Sequence, residues 1–418
     1  MKTDVNIARP HYLKELLNWK DDAAIKVVIG PRRSGKSMLF SLYQDELRRR
    51  GVADDHIISF NLEDLRYAEL TDAKTLYDTV INLAKGDGTY YVFLDEIQEC
   101  RQFEKAVNSL ALQKNIDICI TGSNAHILSG ELTTFLSGRF VRIEIMPLSF
   151  AEFRRAVEKD GLTPAEDFNR YLTIGTYPAL VAYRNDPVKI TTYYSSLIDT
   201  VIEKDIRSRY QIRNGSLLRR VIQAVASAAG SPVSARKITH TLQSNHDEVS
   251  NATVNTYLKA LEEAYVCYRV PRYDVKGNKC LTTDEKFYLC DPGFRQNLIN
   301  TTTPDLGRLI ENIVYLELRR RFAQVTVGKT GKQEVDFVAR TQNDVRYYQV
   351  SVSVLNEDTF QREIHAFDEI NDNYPKILLT LDVIGNGRNI NGIRQINLID
   401  WLLSSETVRE IPMEGVNH

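Results

Sequence analysis

The residues Gly30-Pro31-Arg32-Arg33-Ser34-Gly35-Lys36-Ser37 fit the pattern G-x-x-x-x-G-K-[ST] at every defined position and follow the apolar run Ile25 to Ile29. This predicts a strand feeding a glycine loop. The flexible backbone wraps a phosphate, successive amides donate to it, and the positive N-terminal end of the next helix faces the same charge. Lys36 is expected to neutralise the β and γ phosphates of ATP, and the Ser37 hydroxyl to hold Mg²⁺. Further on, the apolar run Tyr90 to Leu94 is closed by two carboxylates, Asp95 and Glu96. Buried parallel strands read this way, with chemistry at their C-terminal ends. Asp95 is suited to bind Mg²⁺ through water, and Glu96 to orient and polarise an attacking water. Kinases of small molecules built on the same loop do not need that glutamate, so hydrolysis coupled to movement is favoured over transfer to a metabolite. The bland alternatives are a glycine turn before an ordinary helix and two solvated acids at a strand end.

These residues need a scaffold, and the chain supplies one. From residue 25 to about 147, helical periodicity alternates with strand-like runs at 25–29, His56 to Phe60, 90–94, Ile116 to Ile120 and Phe140 to Ile145. That alternation predicts a mostly parallel, helix-covered sheet. The fourth run ends in Thr121-Gly122-Ser123-Asn124, polar residues at the strand tip where a γ-phosphate would sit, and the fifth is preceded by Ser137-Gly138-Arg139. Read blandly, these are a capping turn and a solvated arginine.

Together these features resemble the AAA+ class of ATPases, and more narrowly the bacterial and archaeal ATPases with a C-terminal region called domain of unknown function family 4143. The matching pieces are Gly30 to Ser37, Leu94-Asp95-Glu96-Ile97-Gln98, Thr121 to Asn124, Ser137-Gly138-Arg139-Phe140, Met146-Pro147-Leu148-Ser149-Phe150, Gly175-Thr176-Tyr177-Pro178 and Glu203-Lys204-Asp205-Ile206. The resemblance implies that Ser123 or Asn124 senses the γ-phosphate, and that Arg139 is an arginine finger inserted into a neighbouring subunit of a homo-oligomer. Thr176 departs from the pattern, which has a second glycine there.

At 418 residues the chain is too long for one compact core. Its 43% hydrophobic and 26% charged residues are those of a globular protein, and a net charge of −2 gives no global attraction to nucleic acid. The five cysteines, Cys100, Cys119, Cys267, Cys280 and Cys290, contain no C-x-x-C pair, which argues against a disulfide framework or zinc site and fits a reducing cytoplasm. The N-terminus lacks an apolar signal core and no run reaches membrane-spanning length, so a cytoplasmic location without membrane contact is expected.

The expected organisation is an α/β protein in four parts. An AAA+ core with a parallel sheet takes residues 1–150, and a helical lid and linker takes 151–215. In 216–290, three amphipathic helices precede a hairpin, the order of a winged helix-turn-helix. On its third helix Asn251, Thr253, Asn255, Thr256 and Lys259 lie off the apolar stripe, and Arg272, Lys276 and Lys279 belong to the wing. These residues are candidates to meet DNA bases and phosphates, although Glu262 and Glu263 weaken the case and winged helices also serve as packing modules. Residues 291–418 follow the element order of the restriction-endonuclease-like fold, with Glu311 on a helix, Asp336 and Gln349 at the acidic strand positions, and Ser351 where a lysine is needed. A serine cannot supply that cation, so a degenerate nuclease is expected, or merely a polar sheet face. The functional expectation is a Mg²⁺-dependent ATPase acting on DNA through its C-terminal parts. The alternatives are a signalling or defence ATPase with a protein partner, and an ATP-linked nuclease, which would require a lysine from elsewhere.

Overall fold

The run Ile25–Ile29 is buried along its whole length and forms β1 of a five-stranded sheet. A computed structural model describes residues 7–123, 139–245, 247–277, 279–299, 305–331 and 333–404. Asn124, Ser137, Gly138 and Asn278 therefore lie outside the described residues. The other strands of this sheet are β2 (Ile57–Asn61), β3 (Tyr90–Asp95), β4 (Ile116–Gly122) and β5 (Phe140–Glu144), in the order β2-β3-β4-β1-β5. Every pairing is parallel. Alternate side chains of each strand enter different cores. Val28, Tyr91 and Phe93 pack with Leu39, Phe40 and Tyr43 of the helix Lys36–Arg49, whereas Val27, Ile29, Val92 and Leu94 pack into the larger apolar cluster. Both faces are thus covered, as a parallel sheet requires. Lys26, fully buried in β1, is neutralised by Asp117 of β4 at 2.9 Å.

The register sets the chemistry. Ile29 lies opposite Gly122, and Asn61 opposite Asp95, so the segments leaving β1, β3 and β4 emerge along one edge of the sheet.

Residues 150–210 are mainly helical. The helix Pro187–Thr200 runs directly into a π-helix, Val201–Arg207. The departure at Thr176 has a physical reason. Gly175 has φ +90°, and a Cβ there would lie 1.7 Å from the Tyr194 hydroxyl. The backbone N–H and the hydroxyl of Thr176 both donate to Asp291 Oδ2, at 2.5 and 2.6 Å, and the Tyr194 hydroxyl donates to Oδ1 at 2.7 Å. A second glycine would lack that hydroxyl. Burial raises the Asp291 carboxyl, and these donors act against it.

Three helices, Gly215–Ala228, Ala235–Ser244 and Asn251–Glu263, precede the antiparallel hairpin β6 (Cys267–Asp274) and β7 (Lys279–Leu289). Ser234 and Ser250 cap the second and third helices by accepting from Lys237 and Thr253 amides. The hairpin does not stand alone, because β6 pairs in parallel with β8 (Gln324–Thr330). With β9 (Gln333–Arg340), β10 (Val345–Val350), β11 (Lys376–Thr380), β12 (Asn389–Ile390) and β13 (Ile393–Asn397), it forms an eight-stranded sheet ordered β12-β13-β11-β10-β9-β8-β6-β7. The expected division at 290 and 291 thus separates strands of one continuous sheet.

Candidate active site

The loop after β1 is shaped by its glycines. Gly30 has φ +143°, and a Cβ there would sit 2.0 Å from the Ile145 carbonyl oxygen, so only glycine fits. Gly35, at φ +103°, precedes the helix Lys36–Arg49, whose first residues are therefore aimed by the loop. Lys36 is buried, and its Nζ donates to the carbonyls of Gly30 and Pro31 at 3.1 and 3.0 Å. Burial lowers its pKa, while the carboxylates of Glu96 and Asp95 pull it back up. Ser34 is fully buried and its Oγ has no hydrogen-bond partner among the described residues. An orphaned donor inside such a loop fits a phosphate oxygen. Arg9 braces the loop from outside: its Nη1 donates to the Ser34 carbonyl, its Nε to Glu152 at 2.8 Å and its Nη2 to the Met146 carbonyl.

The two acids stand at the end of β3 in the same edge of the sheet. The hydroxyls of Thr121 and Ser37 hydrogen-bond the Asp95 carboxylate, which burial nevertheless raises above its ordinary value. The Glu96 amide donates to Thr121 Oγ1 at 2.9 Å, and its carboxylate accepts from Gln98 Nε2. Ser37 and Asp95, the expected Mg²⁺ pair, are therefore already in contact. Ser123 is fully buried at the tip of β4, and Arg32 Nη2 lies 3.5 Å from its Oγ. Arg33 lies over the Tyr193 ring, 5.2 Å from its centroid. Arg139 is exposed and precedes β5, with its carbonyl accepting from the Ile25 amide. It thus lies at the opposite end of β1 from the loop, roughly 16 Å away for five strand residues.

Residues 22–154 match the family described as AAA domain. Residues 165–305 match Domain of unknown function (DUF8612), in the region where the sequence resemblance pointed to family 4143. An uncharacterized protein of Haemophilus influenzae is 38% identical over 400 residues, which cover 95% of this chain and 98% of that one. The chain belongs to the same family as that protein. Uncharacterized protein MJ1544 of Methanocaldococcus jannaschii is 28% identical over 361 residues, 82% of this chain and 78% of its own. Among solved structures, the Walker-type ATPase paby2304 of Pyrococcus abyssi aligns with a TM-score of 0.49 at 15% identity, over 70% of this chain and 95% of that chain. The loop, Asp95, Glu96 and Ser123 all fall inside the AAA domain, which is a nucleotide-binding module.

Beyond the AAA domain, the four residues expected of a nuclease-like site do converge. Glu311, Asp336, Gln349 and Ser351 line one cavity of about 1060 Å³, together with Glu334 and Glu363. Gln349 Oε1 accepts from the Asp336 amide at 3.2 Å and its Nε2 donates to Glu363 at 2.8 Å. Burial, then repulsion from Glu311, raises the Asp336 carboxyl well above its usual range. The sequence reading missed Lys286 of β7. Its Nζ lies 3.0 Å from Glu311 and 2.8 Å from Glu334. Burial works to lower this ammonium, but Glu311, Asp336 and Glu334 outweigh it and raise it. A charged residue beside the apolar stretch Phe287-Tyr288-Leu289 was the available signal.

The expected DNA-facing residues divide. Asn251, Asn255, Thr256 and Lys259 are exposed on one helix, with Lys259 3.7 Å from Glu263, and Lys279 is exposed on β7. Thr253 is partly buried and its hydroxyl meets Ser250 Oγ at 2.9 Å. Arg272 is not on an open wing. Its Nη2 donates to Glu334 at 2.9 Å and its side chain is 14% exposed, because pairing of β6 with β8 turns it into the shared sheet. Lys276 is exposed but 3.1 Å from Glu369. No helix among the described residues is long and apolar enough to cross a membrane.

Proposed function

We propose that this protein is a Mg²⁺-dependent ATPase that couples ATP binding and hydrolysis to its C-terminal half. The observation that carries the reading is the convergence of Lys36, the orphaned Ser34 hydroxyl, the Ser37–Asp95 contact and Glu96 on one edge of the parallel sheet. Lys36 exchanges the Gly30 and Pro31 carbonyls for phosphate oxygens. Ser37 and Asp95 hold the Mg²⁺, which supplies charge neutralisation at the phosphates. Glu96 positions and polarises water, and Ser123 reads the terminal phosphate. Arg139 reaches a neighbouring subunit of a homo-oligomer, since within its own chain a whole strand separates it from the loop.

DNA is the partner this reading favours. Its support is the exposed row Asn251, Asn255, Thr256 and Lys259 on the last of three helices before a hairpin, the element order of a winged helix-turn-helix, with Lys279 on the hairpin. The nuclease-like cavity then binds without cutting, because Lys286 is spent on Glu311 and Glu334. A protein partner is the second reading. It is favoured by Leu355, Val383 and Ile384, which are 64, 82 and 74% exposed and are drawn together where the Val354 amide donates to Asp382. Filter binding with single-stranded, duplex and branched DNA, with and without an ATP analogue, separates the two. Binding should fall across sequences, with a flatter salt slope, when Asn255, Lys259 and Lys279 are replaced by alanine. Absence of binding in every nucleotide state removes DNA as the partner.

A further inference from the structure

The loop residue Arg32 is committed to a different element from the rest of the loop. Its Nε and Nη2 donate to the two oxygens of Asp205, each at 2.9 Å, its Nη2 lies 3.5 Å from Ser123 Oγ, and its Nη1 lies 3.7 Å from Glu63. The ion pair is largely dry, with the Arg32 side chain 13% and the Asp205 side chain 1% exposed. Asp205 belongs to the π-helix Val201–Arg207, which continues the helix Pro187–Thr200. A π-turn inside an α-helix is rare and is found frequently at functional sites. One guanidinium therefore joins the phosphate loop, the tip of β4 and a π-helical turn.

We propose that Arg32 contacts the terminal phosphate of bound ATP and that Asp205 is its positioning residue, so that the π-turn Val201–Arg207 responds to the triphosphate. This rests on the nucleotide reading above. A guanidinium presents five donors in one rigid plane, so fixing the Nε and Nη2 edge on a carboxylate also fixes the second Nη2 N–H, which faces the Ser123 hydroxyl at the tip of β4. Arg32 does not have to leave Asp205 to do this. Leaving would strand a buried carboxylate without its partner, which is strongly unfavourable. The pair therefore moves as a unit, and whatever displaces Arg32 by a fraction of an ångström displaces the turn that carries Asp205. A diphosphate lacks the group that Arg32 meets, so the two nucleotides leave the turn in different positions.

The test is a double-mutant cycle on nucleotide discrimination, with ADP and a non-hydrolysable ATP analogue titrated by fluorescence against the full chain. Arg32→Ala should lower the ratio Kd(ADP)/Kd(ATP analogue) by about tenfold, the worth of one charge-assisted hydrogen bond. Asp205→Asn should lower it in the same direction by a smaller factor, and should change nothing further in the Arg32→Ala background. Arg32→Lys, which keeps charge and solubility but cannot serve both groups, should also lower the ratio if Arg32→Ala fails to fold. Amide exchange across 201–207 should slow with the ATP analogue relative to ADP in the unchanged protein, and lose that difference in the Asp205→Asn variant. An equal effect of Asp205→Asn with and without Arg32 would reduce Asp205 to a structural role and overturn the proposal, as would a ratio insensitive to all three variants. Lys36→Ala serves as the control. If the unchanged protein binds neither nucleotide, the ATPase reading falls and takes this proposal with it. If binding is lost in Lys36→Ala while the ratio ignores Arg32 and Asp205, only this proposal falls.

Discussion

Glu96 sits in the left-handed region at φ +52°, a conformation that costs a non-glycine residue energy and survives only where its surroundings impose it. The surroundings are visible. Thr121 accepts from the Glu96 amide and donates to Asp95, so one hydroxyl sets the backbone of one acid and the carboxylate of the other. Strain of this kind turns the Glu96 side chain away from the direction that β3 would give it. The division of labour between the residues gives a first prediction. Lys36→Ala should abolish nucleotide binding, because the proposed site assigns phosphate to that cation. Glu96→Gln should bind normally and slow turnover by about 10²–10⁴-fold, the usual contribution of general base assistance. Equilibrium binding and steady-state phosphate release on the two variants check it, and equal nucleotide affinity in Lys36→Ala and the unchanged protein would refute the loop assignment.

At the scale of elements, a single carboxylate organises part of the helical region after the first sheet. Asp160 follows the helix Phe150–Val157 and takes Arg170 of the helix Pro164–Ile174 at 2.5 Å and Arg184 Nε at 2.7 Å. The Arg184 hydrogen bonds are the largest influence; desolvation opposes them, but with the Arg170 hydrogen bond and the charges of both arginines added, the Asp160 carboxyl falls from 3.8 to about 2. A depressed acid contributes stability that is present above its unfolded pKa and is lost as pH falls through its folded one. Asp160→Asn should therefore lower the melting temperature at pH 7, and the gap should close between pH about 4 and about 2. Thermal unfolding followed by circular dichroism across that range is the check, and a gap independent of pH would assign the loss to packing.

At the scale of the whole molecule, the two sheets are tied together along β5. Arg319, at the end of the helix Leu306–Arg321, donates to both oxygens of Glu144 at 3.1 and 2.9 Å, and Arg320 donates to the Pro147 carbonyl at 2.9 Å. The helix that carries Glu311 is thus anchored to the edge strand of the first sheet and to the segment that follows it. Arg139 precedes that same edge strand and is open to a neighbour. Mixing Arg139→Ala with Glu96→Gln subunits should consequently restore part of the hydrolysis that each variant lacks alone, because some interfaces then pair an intact acid with an intact arginine. Co-assembly without any restored turnover would end the finger assignment.

The sequence by itself determined the parallel sheet and the glycine loop at its edge. The spacing Gly30 to Ser37 forces a loop geometry that only those glycines permit, and the runs at 25–29, 90–94 and 116–120 are largely apolar because helices cover both faces of the sheet, so their strand character is written locally. The three helices before the hairpin were equally legible from their apolar stripes. Only the tertiary structure decided which polar groups meet. Asp205 and Arg32 are separated by 173 positions, Lys286 and Glu311 by 25, and Thr176 and Asp291 by 115. A buried ion pair depends on direction and desolvation, which no local pattern encodes. For the same reason the sequence left Arg272 on an open wing. Pairing of β6 with β8 is a contact between distant segments, and it turned that arginine from a surface cation into part of a shared sheet.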